Sequence, residues 1–128
     1  MNRAAHERGS AVPEFVLVLV VLVPVIAAIV HLALVMHVRN TVTSAASDGA
    51  RSGAARGATT EHAVARTQSL ISSAIAARFA SEVEARHVMR EGVPMVQVQV
   101  RTSVPALGLA GPSTRVSATA HAILQDQR

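Results

Sequence analysis

Residues 15–36 read FVLVLVVLVPVIAAIVHLALVM, a run of 22 residues without a formally charged side chain. As a helix rising ~1.5 Å per residue it would measure ~33 Å, enough to cross a bilayer core of ~30 Å. The alternative is a buried helix of a soluble protein. The rest of the chain argues against it: half of the 128 residues are hydrophobic, but these are chiefly Ala and Val, with two Phe and no Tyr or Trp. So small and shallow a remainder cannot enclose such a helix. Pro24 removes one backbone donor and is expected to kink the span. His31 has no second titratable group beside it in the run, so it reads as a packed or lipid-shielded polar residue rather than a proton relay or ligand.

Arg3 and Arg8 precede the run, while Arg39 is the only arginine close behind it before Arg51. This bias predicts a cytoplasmic N-terminus and a translocated C-terminal portion. A cleaved secretory signal is the rival, but the run exceeds the usual apolar core of about 7–15 residues, and the nearest small-residue site, SAAS at 44–47, lies beyond the membrane edge. One feature is costly. Glu14 stands at the very edge of the apolar run, directly before Phe15 and five residues after Gly9.

Beyond Met36 the chain stays compatible with helix but becomes polar and alanine-rich. Small residues recur every fourth position, Ala45, Gly49, Gly53 and Gly57 on one row and Ala46, Ala50, Ala54 and Ala58 on the next. Such rows permit close approach of a partner backbone, from the same head or from a neighbouring subunit. The other reading is an Ala-rich stretch whose glycines weaken the helix by ~1 kcal/mol each. Gly57, Thr59, Thr60 and Glu61 read as a stop followed by a capped start. From Thr60 to Ser81, Val64, Leu70, Ile71, Ala74, Ile75 and Phe79 recur at helical spacing and predict one amphipathic helix. The period then changes to two. Val83, Ala85 and Met89 alternate with charged neighbours, as do Val96, Val98, Val100 and Val104 with polar ones. EGVP at 91–94 reads as a hairpin connection. PALGLAGPS at 105–113 reads as a loop, and Val116, Ala118, Ala120, Ala122 and Leu124 mark a last strand. Three strands with one apolar face need a cover, which the amphipathic helix can supply.

Nothing in the sequence carries chemistry. The six histidines include no pair at helical ligand spacing and no accompanying carboxylate cluster, so no metal is expected. No nucleophile motif, phosphate loop or dinucleotide fingerprint appears, so neither an enzyme nor a cofactor nor a small-molecule substrate is indicated. The net charge is +4, carried by 12 arginines and no lysine, and the arginines are spread along the chain without aromatic interleaving, so nucleic acid is not an expected partner either. The chain contains no cysteine, hence no disulfide framework and no thiolate site.

RGSAVPEF at 8–15, followed by the apolar span, resembles the class III signal of type IV pilins and pseudopilins. That resemblance implies a basic leader ending at Gly9, a mature chain beginning at Ser10, and Glu14 as the fifth mature residue. The span with MHVRNTVTSAASDGARSGA behind it resembles the TadE-like proteins of the Tad (Flp) type IVb pilus system, with Asp48, Gly49, Ala50 and Arg51 in the position of the family's glycine-alanine-arginine motif. The closing strand, proline loop and strand look similar as well. Pro13 departs from the aliphatic residue usual before the glutamate. The head carries no motif that separates TadE from its companion TadF or another pseudopilin.

The expectation is therefore an α+β chain: a leader at 1–9, a kinked transmembrane helix at 10–36, a small-residue-rich helical extension at 37–58, and an extracytoplasmic head at 59–128 built of one amphipathic helix on a three-stranded antiparallel sheet. The resemblance implies a minor pilin-like subunit without catalysis of its own, held in the cytoplasmic membrane. Its processing site is Gly9–Ser10, its expected partners are a prepilin peptidase, other pilin subunits and the assembly platform, and Glu14, Phe15, Ala45, Gly49 and Gly53 are the candidate subunit contacts. An uncleaved single-pass protein with a partner-binding head is the competing reading.

Overall fold

A computed structural model describes residues 3–106 and 112–125, with side chains from Ala11 onward. One helix dominates it. α1 (Arg3–Ala54) runs unbroken through Pro13 and Pro24. Its carbonyl end is closed by the far end of the chain, where the Gln125 N–H donates to Ala54 O at 3.0 Å and so satisfies a carbonyl that a helix terminus leaves without a partner. The chain then turns at Ala55–Ala58, where the Ala58 N–H donates to Ala55 O at 3.0 Å. Gly57 takes φ 77° there, in the left-handed region that favours glycine.

α2 (Thr60–Ala74) starts as its threonines and Glu61 predict. Thr59 is the N-cap, its hydroxyl accepting from the His62 N–H at 3.4 Å. The Glu61 carboxyl is held below the usual carboxylate range, first by its own backbone N–H and then by the Thr59 hydroxyl. This small stabilisation is present at neutral pH and disappears as pH falls through the depressed value. α2 ends earlier than the expected Ser81. Ile75 caps it, and a 3₁₀ turn at Ala77–Ala80 follows. The reason is packing: the turn buries Phe79 and Ala80 in the core, and Gln68 Nε2 donates to Ala80 O at 3.4 Å, tying the turn back to α2. Ala74, expected on the apolar stripe, is exposed at the end of the helix.

The sheet is antiparallel in the order β1 (Glu82–Arg90), β2 (Val93–Pro105) and β3 (Ser113–Ile123). The β1–β2 connection is tighter than EGVP suggests. Arg90 pairs with Val93, so Glu91 and Gly92 alone form the turn. Their φ values of 51° and 80° are the two positive angles that a type I′ hairpin requires. Of the β2–β3 loop, residues 107–111 lie outside the described residues; the Ala106 N–H donates to Pro112 O at 2.9 Å at its base.

Strand alternation appears in the core as predicted. Val96, Val98, Val100 and Val104 of β2 are fully buried, as are Val116 and Ala118 of β3 to within a few per cent, and Ala120, Ala122 and Leu124 pack partly buried beside them. Met89 is the exception at 69 % exposure. α2 covers the β1 end of the sheet, but neither helix shields Met89 at the hairpin end.

The cover has a second part. Besides α2 over β1, the C-terminal half of α1 lies over β3 and β2. Val38, Val42, Ala45, Ala46, Ala50 and Ala54 belong to the same buried cluster as the strand valines. The stretch that reads as a helical extension is thus one layer of the head. Register explains the fit: Val98 sits between Ala85 and Ala120, and Val100 between Val83 and Ala118. Alanine on β3 lets α1 approach the sheet closely.

Burying a valine side chain of β2 contributes ~1.5–3 kcal/mol. Val98→Ala should destabilise the head by ~2 kcal/mol, cavity included, whereas Met89→Ala should change it by less than ~0.5 kcal/mol. Denaturant titration of the full chain in mild detergent checks both.

Candidate helix contact and membrane-proximal site

The two helices touch where glycines occur. A methyl group on Gly49 would overlap Thr67 Oγ1 and stand 2.9 Å from Ala63 O; one on Gly53 would stand 2.6 Å from Ala63 Cβ. Both glycines therefore serve close backbone approach. Opposite them on α2 lie Ala63, Thr67 and Ile71, spaced four apart and all buried. Thr67 is fully buried but not left wanting, since its hydroxyl donates to Ala63 O at 2.8 Å. On the exposed flank Arg66 Nη2 meets Asp48 Oδ2 at 3.1 Å, and Arg66 Nε donates to the same oxygen at 3.2 Å.

Of the candidate contacts, Ala45, Gly49 and Gly53 are thus on the buried side of α1, and the helix that Gly49 and Gly53 meet is the chain's own α2. Glu14 and Phe15 are elsewhere. They lie on the projecting half of α1, both exposed, Phe15 at 63 %. Gly9 and Ser10 belong to the helical backbone of α1, with side chains outside the described set; Met1 and Asn2 lie outside it altogether. Thr67 and Ala63 escaped the sequence reading because neither is a large apolar residue. Their spacing of four beside Ile71, matched to the glycine row, was the available signal.

From Ala11 to Val30 every side chain of α1 is exposed except a half-buried Ala27. The helix is long and apolar enough to cross a membrane. Among the described residues, the hydrogen bond between α1 and the sheet that lies nearest the exposed segment is at His31, whose Nε2 lies 3.1 Å from Thr114 Oγ1 of β3. That contact falls inside the apolar run, and it is what makes His31 a packed residue. Among the described residues no group of three or more His, Cys, Asp or Glu converges as a metal site.

Residues 9–51 match the family model described as TadE-like protein. No curated protein and no solved structure matches the chain.

An exchange of the touching groups tests the helix contact. Gly53→Ala alone should cost ~1–2 kcal/mol, the overpacking outweighing the ~1 kcal/mol gained in helix propensity. Adding Ala63→Gly removes the methyl it strikes, moves the propensity term from one helix to the other, and should return stability to within ~0.5 kcal/mol of wild type. Recovery in a double-mutant cycle marks direct contact; simple additivity would mean that the helices do not meet there.

Proposed function

We propose that this chain, whose residues 9–51 match the TadE-like family model and whose long apolar helix carries an α+β head, is a pseudopilin, a structural subunit in the assembly of a Tad type IVb pilus, cut by a prepilin peptidase between Gly9 and Ser10. The observation that carries the reading is the joint extent of the family match and the free helix. The match begins at Gly9, covers the whole exposed apolar segment and ends at Arg51 inside the head. On this reading the exposed half of α1 crosses the cytoplasmic membrane, the basic N-terminus stays inside and the head stands outside. The role is architectural, and its partners are the peptidase, other pilin subunits and the assembly platform.

Glu14 and Phe15 are the subunit contacts in this proposal. Cleavage creates an α-amino group at Ser10, four residues from Glu14 on the frayed first turn. In a bundle of such helices the carboxylate of one subunit can face the amine of the next, neutralising two charges that both lose water when the helices leave lipid. Breaking a desolvated pair of this kind costs ~3–5 kcal/mol, against ~0.3–1 kcal/mol for a glutamate that only favours its own helix dipole.

Two measurements follow. Intact mass of protein extracted from the cells that make it should show loss of residues 1–9; Met1 retained while pili assemble normally would make the chain an uncleaved anchor instead. Glu14→Gln should insert and be cleaved like wild type, yet co-purify with pilin partners at least about tenfold less at equal membrane abundance. Equal recovery would leave Glu14 only its dipole role.

A further inference from the structure

α1 and β3 run side by side in one direction. His31 meets Thr114 at one end and Ala54 meets Gln125 at the other. Their lengths agree, since 23 helical steps rise ~35 Å and 11 extended steps ~36 Å. The end of the sheet that holds the start of β3, the end of β2 and the start of β1 is therefore the end where the apolar helix leaves the head. The Glu91–Gly92 hairpin is the far end.

At the near end Arg78, Arg101 and Arg115 line one concavity of ≈ 900 Å³, together with Ser103, Ser117 and a single carboxylate, Glu82. Register brings the strand residues among them together on the face of the sheet turned away from α1: Arg101 stands between Glu82 and Ser117, and Arg115 opposite Ser103, while Arg78 joins them from the 3₁₀ turn. All three arginines are exposed, and among the described residues none is in an ion pair. Arg78 is braced by stacking, its guanidinium carbon 4.9 Å from the centroid of the Phe79 ring. Three arginines against one carboxylate leave an excess of positive charge beside hydroxyl donors, within one residue of the point where β3 touches the end of the exposed helix.

We infer that this concavity seats the phosphate groups of anionic phospholipids in the leaflet from which the helix emerges. The inference rests on the proposed transmembrane reading of α1. Planar guanidinium forks match phosphate oxygens in pairs. The concavity's height explains why a lipid and not a soluble anion is the occupant: with α1 upright and His31 at the membrane edge, the arginines face the headgroup layer around the helix, where the phosphates are already concentrated.

The test uses the full chain in nanodiscs of phosphatidylcholine with rising fractions of phosphatidylglycerol, read by arginine side-chain Nε–H resonances and by the phosphatidylglycerol that co-purifies. Arg78, Arg101 and Arg115 should shift with phosphatidylglycerol, while Arg86 and Arg90, towards the hairpin, should not. R101Q with R115Q should lower retained phosphatidylglycerol about tenfold or more, each charge near an anionic surface being worth ~5-fold. R86Q with R90Q, the same change in net charge, should leave it unaltered. Equal loss in the two pairs would overturn the site in favour of unspecific attraction. Displacement of phosphatidylglycerol by millimolar inorganic phosphate would overturn the lipid as its ligand. Alkaline carbonate washing of the source membranes separates the two readings: a chain that resists extraction but ignores phosphatidylglycerol fails only here, whereas one that washes off fails as a spanning protein and takes this inference with it.

Discussion

The head depends on how closely α1 and α2 can lie together. Its core is mostly valine and alanine, with Ile71 and Phe79 beside them, and the short side chains fill only a thin layer, so a small outward step of either helix would open a void too large for its neighbours to fill. Gly49 and Gly53 set the distance by offering bare backbone to Ala63 and Thr67. The same approach places α2 over β1 and leaves the rest of the sheet to α1. The Asp48–Arg66 pair, about half exposed, contributes at most ~1 kcal/mol and acts mainly on the relative setting of the two helices.

Asp48, Gly49, Ala50 and Arg51 acquire separate physical meanings from this contact. Asp48 bridges to α2, Gly49 admits it, Ala50 is fully buried and Arg51 is exposed. Three of the four residues that carry the family likeness near the head are engaged in folding it. The part of α1 that the head leaves bare is the half that holds Glu14 and Phe15.

Legibility in the sequence followed the range of the interaction. Alternation along β2 and β3 is local and was readable down to single valines, as was the capped start of α2 at Thr59. The end of α2 was not readable, because a 3₁₀ turn keeps Phe79 facing inward and so prolongs an apparently helical pattern past Ala74. Met89 obeyed the alternation yet is exposed, since burial depends on where the covering helices end and not on the strand alone. His31 was readable as a polar group without a catalytic or ligand role, packed or lipid-shielded, but the sequence could not say which, because its partner is 83 residues away and no spacing rule connects the two. The glycine row permitted a close contact without requiring one or naming the partner, because small residues specify how near a neighbour can come and not its identity.

The contact at His31 also constrains what α1 can do outside the head. On the proposed topology the bilayer must fit between the leader and that histidine, because the head occupies the helix from there onward. Residues 11–30 measure ~30 Å as a helix, about the thickness of a hydrocarbon core. Glu14 lies in the first turn of this segment, so an upright helix with His31 at one edge holds the carboxylate near the other, within reach of water by local thinning of the bilayer. On that topology its charge is tolerable where lipid surrounds the helix, because the carboxylate keeps its access to water. The position of a hydrogen bond at the outer end of the span thereby sets the hydration of a carboxylate at the inner end, and the unbroken helix between them transmits that setting from the head.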